Sequence, residues 1–263
     1  MPATINNAPL LVGAPNFRDM GGYATHDSRR VRHGHLYRSE GLAQLTHEDL
    51  EVVRSLSIQL ICDLRSDKER THTPTRWPEG SAVQWLHMNV TADIRAGSDA
   101  MAKVLLENPS AEGATQAMLI SYRHFPEAFA PHLSNLFGRI LASDGLPLVF
   151  HCAAGKDRTG FLAALMLAAL GVPEQSILDD YLLTARYWNG PRGEASIRQV
   201  LTVVFGSVPD ESVIQPLVEA RAEYLAAAFD AIVEQYGSID SYLEQAAGMG
   251  PKQREALKTL LLE

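Results

Sequence analysis

One stretch of this 263-residue chain carries residue types whose spacing can do covalent chemistry. It reads Val149-Phe150-His151-Cys152-Ala153-Ala154-Gly155-Lys156-Asp157-Arg158-Thr159-Gly160. An apolar run delivers a cysteine, an arginine follows in the same short loop, and Thr159 opens a long apolar segment. That order predicts a strand, a tight loop and a buried helix. Backbone N–H groups of Ala153, Ala154, Gly155, Lys156, Asp157 and Arg158 can then face a bound phosphate, and the helix N-terminus adds partial positive charge. The planar fork of Arg158 matches two phosphate oxygens, a geometry lysine cannot supply. The same field favours a thiolate, the form of cysteine that attacks. Cys152 therefore reads as a nucleophile able to form a phosphocysteine. The Thr159 hydroxyl is expected near the sulfur, and His151 is expected to orient the loop rather than act as a base.

Other readings of these residues are weaker. A nucleotide-binding Walker loop would need Gly at position 150 and Ser or Thr at position 157, where this chain has Phe and Asp. Metal ligation by His151 and Cys152 lacks a partner motif at ligand spacing, so no metal and no cofactor is expected. Cys62, the other cysteine, sits in an apolar run and reads as an inert core residue. A catalytically weak module that binds phosphorylated ligands is the alternative from another class, and the intact Cys152 and Arg158 argue against it.

The sequence His-Cys-x-x-Gly-x-x-Arg-Thr-Gly resembles the signature of the protein tyrosine and dual-specificity phosphatases. With Lys156 and Asp157 in place it is similar to one bacterial branch, of mycobacterial and listerial secreted type. Asn16-Phe17-Arg18-Asp19, Asp63-Leu64-Arg65-Ser66 and Arg221-Ala222-Glu223-Tyr224-Leu225 fit the same branch. The resemblance implies a phosphatase with Cys152 as nucleophile and Arg158 as phosphate ligand. Its substrates would be phosphorylated proteins or peptides (on tyrosine, or on serine and threonine) or phosphoinositides, with inorganic phosphate as product. It further implies that Lys156 adds charge for anionic substrates and that Asp157 tunes the loop or assists proton transfer. A helical lid is implied within about 174–210. The general acid should be an Asp before the signature strand: Asp93 first, Asp99 second, with Asp157 as an internal alternative. Arg18, Arg65 and His151 are possible pocket residues, while Asp19 and Asp63 read as capping turns or orienting those arginines.

The elements that must hold the loop can be read from periodicity. His35 to Ser39, Ile58 to Leu64, Ala82 to Met88 and Pro147 to His151 read as strands. Thr46-His47-Glu48-Asp49 resembles a capping box opening a helix. Helices are expected over Ala114–Arg123, Pro126–Ala142 and Thr159–Leu170, with a possible short one near Ala100 to Leu106 in an otherwise mobile stretch. A helix break is expected at Asp144-Gly145. From Glu174 onward the chain reads as helical, with breaks near Asn189-Gly190-Pro191, Ser207 to Asp210, Gly237-Ser238 and Gly248 to Pro251. The pattern predicts one α/β domain over 1–263, with a mostly parallel central sheet flanked by helices. A helical lid or extension and C-terminal helices over about 211–263 would pack on that core.

Composition agrees. At 46% hydrophobic and 21% charged residues the chain can build a large core. A formal net charge of -8 argues against a nucleic-acid surface but leaves room for a local cationic pocket. The N-terminus shows no basic segment followed by an apolar one, and no apolar run reaches membrane-spanning length. A cytoplasmic location is the expectation, with secretion left open.

Overall fold

In the computed structural model, short apolar runs between turns pair into one sheet: β1 (Arg18–Asp19), β2 (Leu36–Ser39), β3 (Leu60–Asp63), β4 (Gln84–His87) and β5 (Leu148–His151). The structure describes residues 9–93, 96, 98–142, 147–188, 191–207 and 210–263, with the backbone alone at 192. The strand order is β1-β2-β5-β3-β4. β1 pairs antiparallel with β2, and every other pairing is parallel. The central strand is thus the one that ends at Cys152. In register, Ser39, His151 and Asp63 lie side by side at the carboxyl ends of β2, β5 and β3. Ligands of open α/β sheets bind beyond these ends.

Alternation along the strands explains why the sheet is covered on both faces. Leu36, Leu60, Cys62, Leu148 and Phe150 point into the larger core, which the main helices share. Tyr37, Ile61 and Val149 point the other way, into a smaller core with Leu42, Leu45 and Val53. That second layer rests on α1 (His47–Ser55), whose N-cap Thr46 forms the expected capping box with Asp49. α2 (Asp67–His72) starts with a second box, between Ser66 and Glu69. The helix near residue 100 exists as α3 (Asp99–Glu107).

Two expected helices are one. α4 runs unbroken over Ala111–Ala142, with Pro126 and Pro131 inside it. A proline within a helix removes a backbone hydrogen bond and crowds the preceding turn, at about 3 kcal/mol or more. Here the buried stripe Tyr122, Phe125, Phe129, Leu133, Leu136, Phe137 and Ile140 continues on both sides of the prolines and outweighs that cost. The Tyr242 hydroxyl donates to the Pro126 carbonyl at 2.7 Å, a further anchor at the site of the proline.

The buried helix after the loop is α5 (Asp157–Leu170), which begins two residues before the sequence suggested and ends at Gly171 in the left-handed region. The remaining helices are α6 (Glu174–Leu183), α7 (Ala185–Trp188), α8 (Pro191–Phe205), α9 (Glu211–Val218), α10 (Ala222–Tyr236), α11 (Ile239–Ala247) and α12 (Pro251–Leu261). The expected breaks at Gly237-Ser238 and Gly248 to Pro251 separate the last three. Asp144-Gly145 lies outside the described residues, as do Asn189, Gly190 and part of the Ser207 to Asp210 break. α4 packs on α3, α9, α10 and α11, so the C-terminal helices share its core. Among the described residues, no helix is long and apolar enough to cross a membrane.

Phe129 is fully buried, with its ring centroid 5.0 Å from that of Phe161 on α5. Phe129→Ala is expected to lower the unfolding free energy by about 3–5 kcal/mol. Urea titration with the midpoint and slope fitted together checks this, and a loss below about 1 kcal/mol would mean that α4 does not couple to α5 as described.

Candidate active site

The loop after β5 is shaped by what holds its carbonyls. Gly41 N–H donates to Ala153 O at 2.9 Å. Asn16 Nδ2 donates to Ala154 O at 3.2 Å and to Gly155 O at 3.1 Å. Arg38 Nη2 donates to Gly155 O at 2.9 Å. His151 Nδ1 lies 3.2 Å from Cys152 O, and because a carbonyl only accepts, Nδ1 carries the proton. Four consecutive carbonyls are therefore engaged from outside the loop. In a trans peptide the N–H points opposite to its C=O, so the N–H groups of residues 153 to 156 turn toward the inside of the loop. Gly155 N–H is 3.3 Å from Cys152 Sγ.

Gly155 makes this curvature possible. Its φ is +67°, and an added Cβ would lie 2.6 Å from both Asn16 Nδ2 and the Glu40 nitrogen. Gly160 serves packing instead: a Cβ there would lie 2.8 Å from the Tyr181 ring on α6.

The arginine is tightly held. Arg158 Nη1 and Nη2 donate to Glu69 Oε2 and Oε1 at 2.8 and 2.7 Å, a bidentate pair. Nη1 also reaches the Leu64 and Val90 carbonyls. Among the described residues Nε has no hydrogen-bond partner, and it sits 3.7 Å from Asp93 Oδ2. One edge of the guanidinium is thus fixed to α2, and the Nε side is the donor left for a phosphate oxygen. Burial works against this charge, but Asp93 and Glu69 outweigh it and raise the Arg158 pKa well above its ordinary value.

Lys156 and Asp157 turn away from the loop interior. Lys156 Nζ donates to Leu217 O at 2.7 Å and Glu219 O at 3.0 Å, at the C-terminus of α9 where carbonyls lack helical partners. It also pairs with Asp157 at 3.2 Å. Asp157 Oδ1 accepts from the Tyr122 hydroxyl at 2.9 Å, and that hydroxyl lies 2.7 Å from the Tyr181 hydroxyl. Lys156, expected to add charge for anionic substrates, and Asp157, expected to tune the loop or assist proton transfer, fasten the loop to α4, α6 and α9. The Thr159 hydroxyl donates to Ser39 O at 3.4 Å, toward β2 rather than toward the sulfur.

The remaining sequence candidates divide in the same way. Arg65 is committed to Asp63 through Nε at 2.9 Å and Nη2 at 2.7 Å, and to Thr73 O and Thr75 Oγ1, but it does line the cleft beside the loop. Arg18 does not line that cleft; it donates to Asp180 O at 2.9 Å and to the Asn16 side chain. Asp19 caps turns through Gly21 and Gly34 N–H. His151 is fully buried; burial pushes its pKa down, against Asp63, so the imidazole is neutral at neutral pH. The Cys62 thiol lies 3.1 Å from Met88 Sδ, and burial pushes its pKa up, as suits an inert core residue. Asp99 lines a separate cleft with Ser121 and His124.

Three contributors were not singled out from the sequence. Arg38 lies on β2, Asp180 on α6 and Glu69 on α2. Arg38 Nη1 and Arg18 Nε both pair with Asp180, whose carboxylate also accepts from Tyr23. Burial and the neighbouring Arg38 push Arg18 down to about 10, against the pull of Asp180. The capping box Ser66-x-x-Glu69 was a usable signal for α2, though not for the reach of Glu69 to Arg158. The cleft itself, ≈ 390 Å³, is lined by Ala153, Gly41, Ala43, Arg65, Lys68, Glu69 and His72 on one side, and by Trp188, Ser196 and Val200 on the other.

A mostly parallel sheet whose central strand leads into a cysteine, with inward N–H groups and a buried arginine, defines a cysteine-dependent enzyme of phosphoryl transfer. The chain belongs to the tyrosine phosphatase family, whose model matches residues 9–263, and it is a cysteine-dependent phosphatase of that family. A Cupriavidus necator protein bearing the name tyrosine-protein phosphatase is 39% identical over 238 residues, which cover 88% of this chain and 81% of that one. The triple specificity protein phosphatase PtpB of Mycobacterium tuberculosis is 34% identical over 261 residues, covering 90% and 92%. A tyrosine-protein phosphatase of Nostoc commune is 26% identical over 228 residues, covering 85% and 73%.

Two outcomes test the geometry. Burial would raise the Glu69 carboxyl, but Arg158 and the Ser66 N–H outweigh it and lower it to about 2. A carboxylate depressed on folding contributes stability above its unfolded pKa of about 4.3 and loses it as pH falls through the folded value. The stability advantage of wild type over Glu69→Gln should therefore be constant above about pH 5 and shrink between about pH 4.3 and 2. Denaturant titrations across that range check this; a gap independent of pH would contradict it. Gly155→Ala must strain a positive φ and displace Asn16, and should cost roughly 1–3 kcal/mol together with most phosphatase activity. Full retention of activity would show that the loop does not depend on this curvature.

Proposed function

We propose that this chain hydrolyses phosphotyrosine, and phosphoserine or phosphothreonine, through a covalent intermediate on Cys152. In the first step the Cys152 thiolate attacks phosphorus. The S–P bond forms as the bond to the leaving oxygen breaks, while the loop N–H groups and Arg158 Nε hold the equatorial oxygens. Asp93 gives its proton to the leaving oxygen. In the second step the Asp93 carboxylate takes a proton from water, the hydroxide oxygen bonds to phosphorus, and the S–P bond breaks. Inorganic phosphate and the thiolate result.

The observation that carries this reading is the juxtaposition of Gly155 N–H on Cys152 Sγ with Arg158 held by Glu69. Asp93 is preferred as acid because it is the candidate carboxylate beside the phosphate side of Arg158. Asp157 is engaged by Tyr122 and Lys156, and Asp99 lines the other cleft. The name of the relative at 34% identity supports a broad substrate range, and the loop resemblance extends the proposal to phosphoinositides. Trp188, Ser196 and Val200 supply the cleft wall from α7 and α8. That segment is proposed as the lid that shields the intermediate from water. α6, fixed to the loop through Asp180, would act as its root rather than as part of it.

Cys152→Ser and Arg158→Ala should each lower kcat for an aryl phosphate by about 10³-fold or more. Asp93→Asn should cost roughly 10²–10⁴-fold on substrates with poor leaving groups and much less on nitrophenyl phosphate, which leaves without a proton. Steady-state kinetics on both substrate types check this. Retained hydrolysis in the Cys152 variant would refute the mechanism, and an equal Asp93 effect on both leaving groups would remove Asp93 as the acid.

A further inference from the structure

The cleft holds an ammonium and an imidazole that the reaction above does not use. Lys68 and His72 lie one turn apart on α2, and both line the cleft that Ala153 of the loop also lines. The other charges on that side are already engaged. Arg65 is held by Asp63, Thr73 and Thr75, Glu69 holds Arg158, and Glu40 accepts the Asn16 N–H. Among the described residues, no hydrogen bond or ion pair engages the exposed Lys68 ammonium, and His72 uses only Nδ1, toward Lys68 O.

Position adds a second argument. The bidentate Glu69–Arg158 pair fixes α2 against the buried arginine of the loop, so the helix that carries Lys68 and His72 into the cleft has a set place relative to the loop. Across the cleft, Trp188 and Val200 beside Ser196 offer apolar surface that suits an aromatic ring. A volume of ≈ 390 Å³ is in the range of small-ligand clefts and exceeds what one phosphoryl group fills. With a formal net charge of -8, the chain as a whole repels acidic peptides, so preference for one must come from local groups such as the Lys68 ammonium.

We infer that Lys68 and His72 form a second anion subsite, selecting phosphotyrosine peptides with a carboxylate or second phosphate beside the phosphotyrosine. This rests on the reading of the loop as the phosphatase site. It assigns the residues a role in choosing substrate, not in the chemical step.

The test uses the full chain and two phosphotyrosine peptides identical but for Glu or Gln next to the phosphotyrosine. Wild type should favour the Glu peptide in kcat/KM, and the Glu/Gln ratio should fall roughly two- to five-fold in Lys68→Ala, the range of an exposed ion pair. It should fall further in Lys68→Ala/His72→Ala, and toward one in wild type as salt rises. Both positions are exposed on a helix, where alanine is well tolerated, and a ratio within one variant cancels any loss of folded enzyme. A wild-type ratio near one, or a ratio unmoved by both substitutions, would overturn the proposal. So would an effect confined to phosphatidylinositol bisphosphate vesicles. Hydrolysis of the Gln peptide, abolished in Cys152→Ser, separates failure of this subsite from failure of the mechanism itself.

Discussion

The constraint on which the site depends is the outward fixing of the loop carbonyls at residues 152 to 155. A short loop left to itself would turn some carbonyls inward, against both the thiolate and the phosphate. Here Gly41, Asn16, Arg38 and His151 each engage a carbonyl from outside. The inward field of N–H groups follows from peptide planarity rather than from any side chain in the pocket. In the mechanism proposed above, substrate would meet dipoles already oriented, with no reorganisation needed during the reaction.

That arrangement demands buried charge, and much of the surrounding structure answers the demand. Arg38 can serve Gly155 O only from a site with no solvent, so its charge is met by Asp180 on α6, which Arg18 and Tyr23 also engage. Arg158 is met by Glu69, and Lys156 by the carbonyls ending α9 and by Asp157. Ion pairs of this kind often add little net stability, yet loss of one partner is costly because it strands the other. The loop, α2, α6 and α9 are thereby tied into one unit, and α7 and α8, which follow α6, form the wall of the cleft.

The sheet and the loop were legible because their signals are local. The β-branched and apolar runs, the Thr46 to Asp49 capping box and the Cys152 to Gly160 spacing each depend on neighbours in sequence. The continuity of α4 is not legible because proline propensity is local, whereas the packing that carries the helix through Pro126 comes from α3, α9, α10 and α11. The orientation of Lys156 was not readable for the same reason. Its partners lie 61 and 63 residues away, and nothing in its own segment says which way it turns. Arg38 and Asp180, 142 residues apart, look like ordinary polar positions on a strand and a helix until the fold brings them together.

The central claim is that this pre-formed loop makes Cys152 the atom that bonds to phosphorus. Acid quench of the enzyme during turnover of a phosphotyrosine peptide, followed by mass spectrometry of the proteolysed chain, tests it most directly. The account predicts one added phosphoryl group on the peptide carrying Cys152, none on the peptide carrying Cys62, and accumulation in Asp93→Asn turning over nitrophenyl phosphate, whose leaving group needs no proton, so that only the second step is slowed. Turnover with no phosphoryl group on Cys152 at any quench time, in wild type and in that variant, would contradict it.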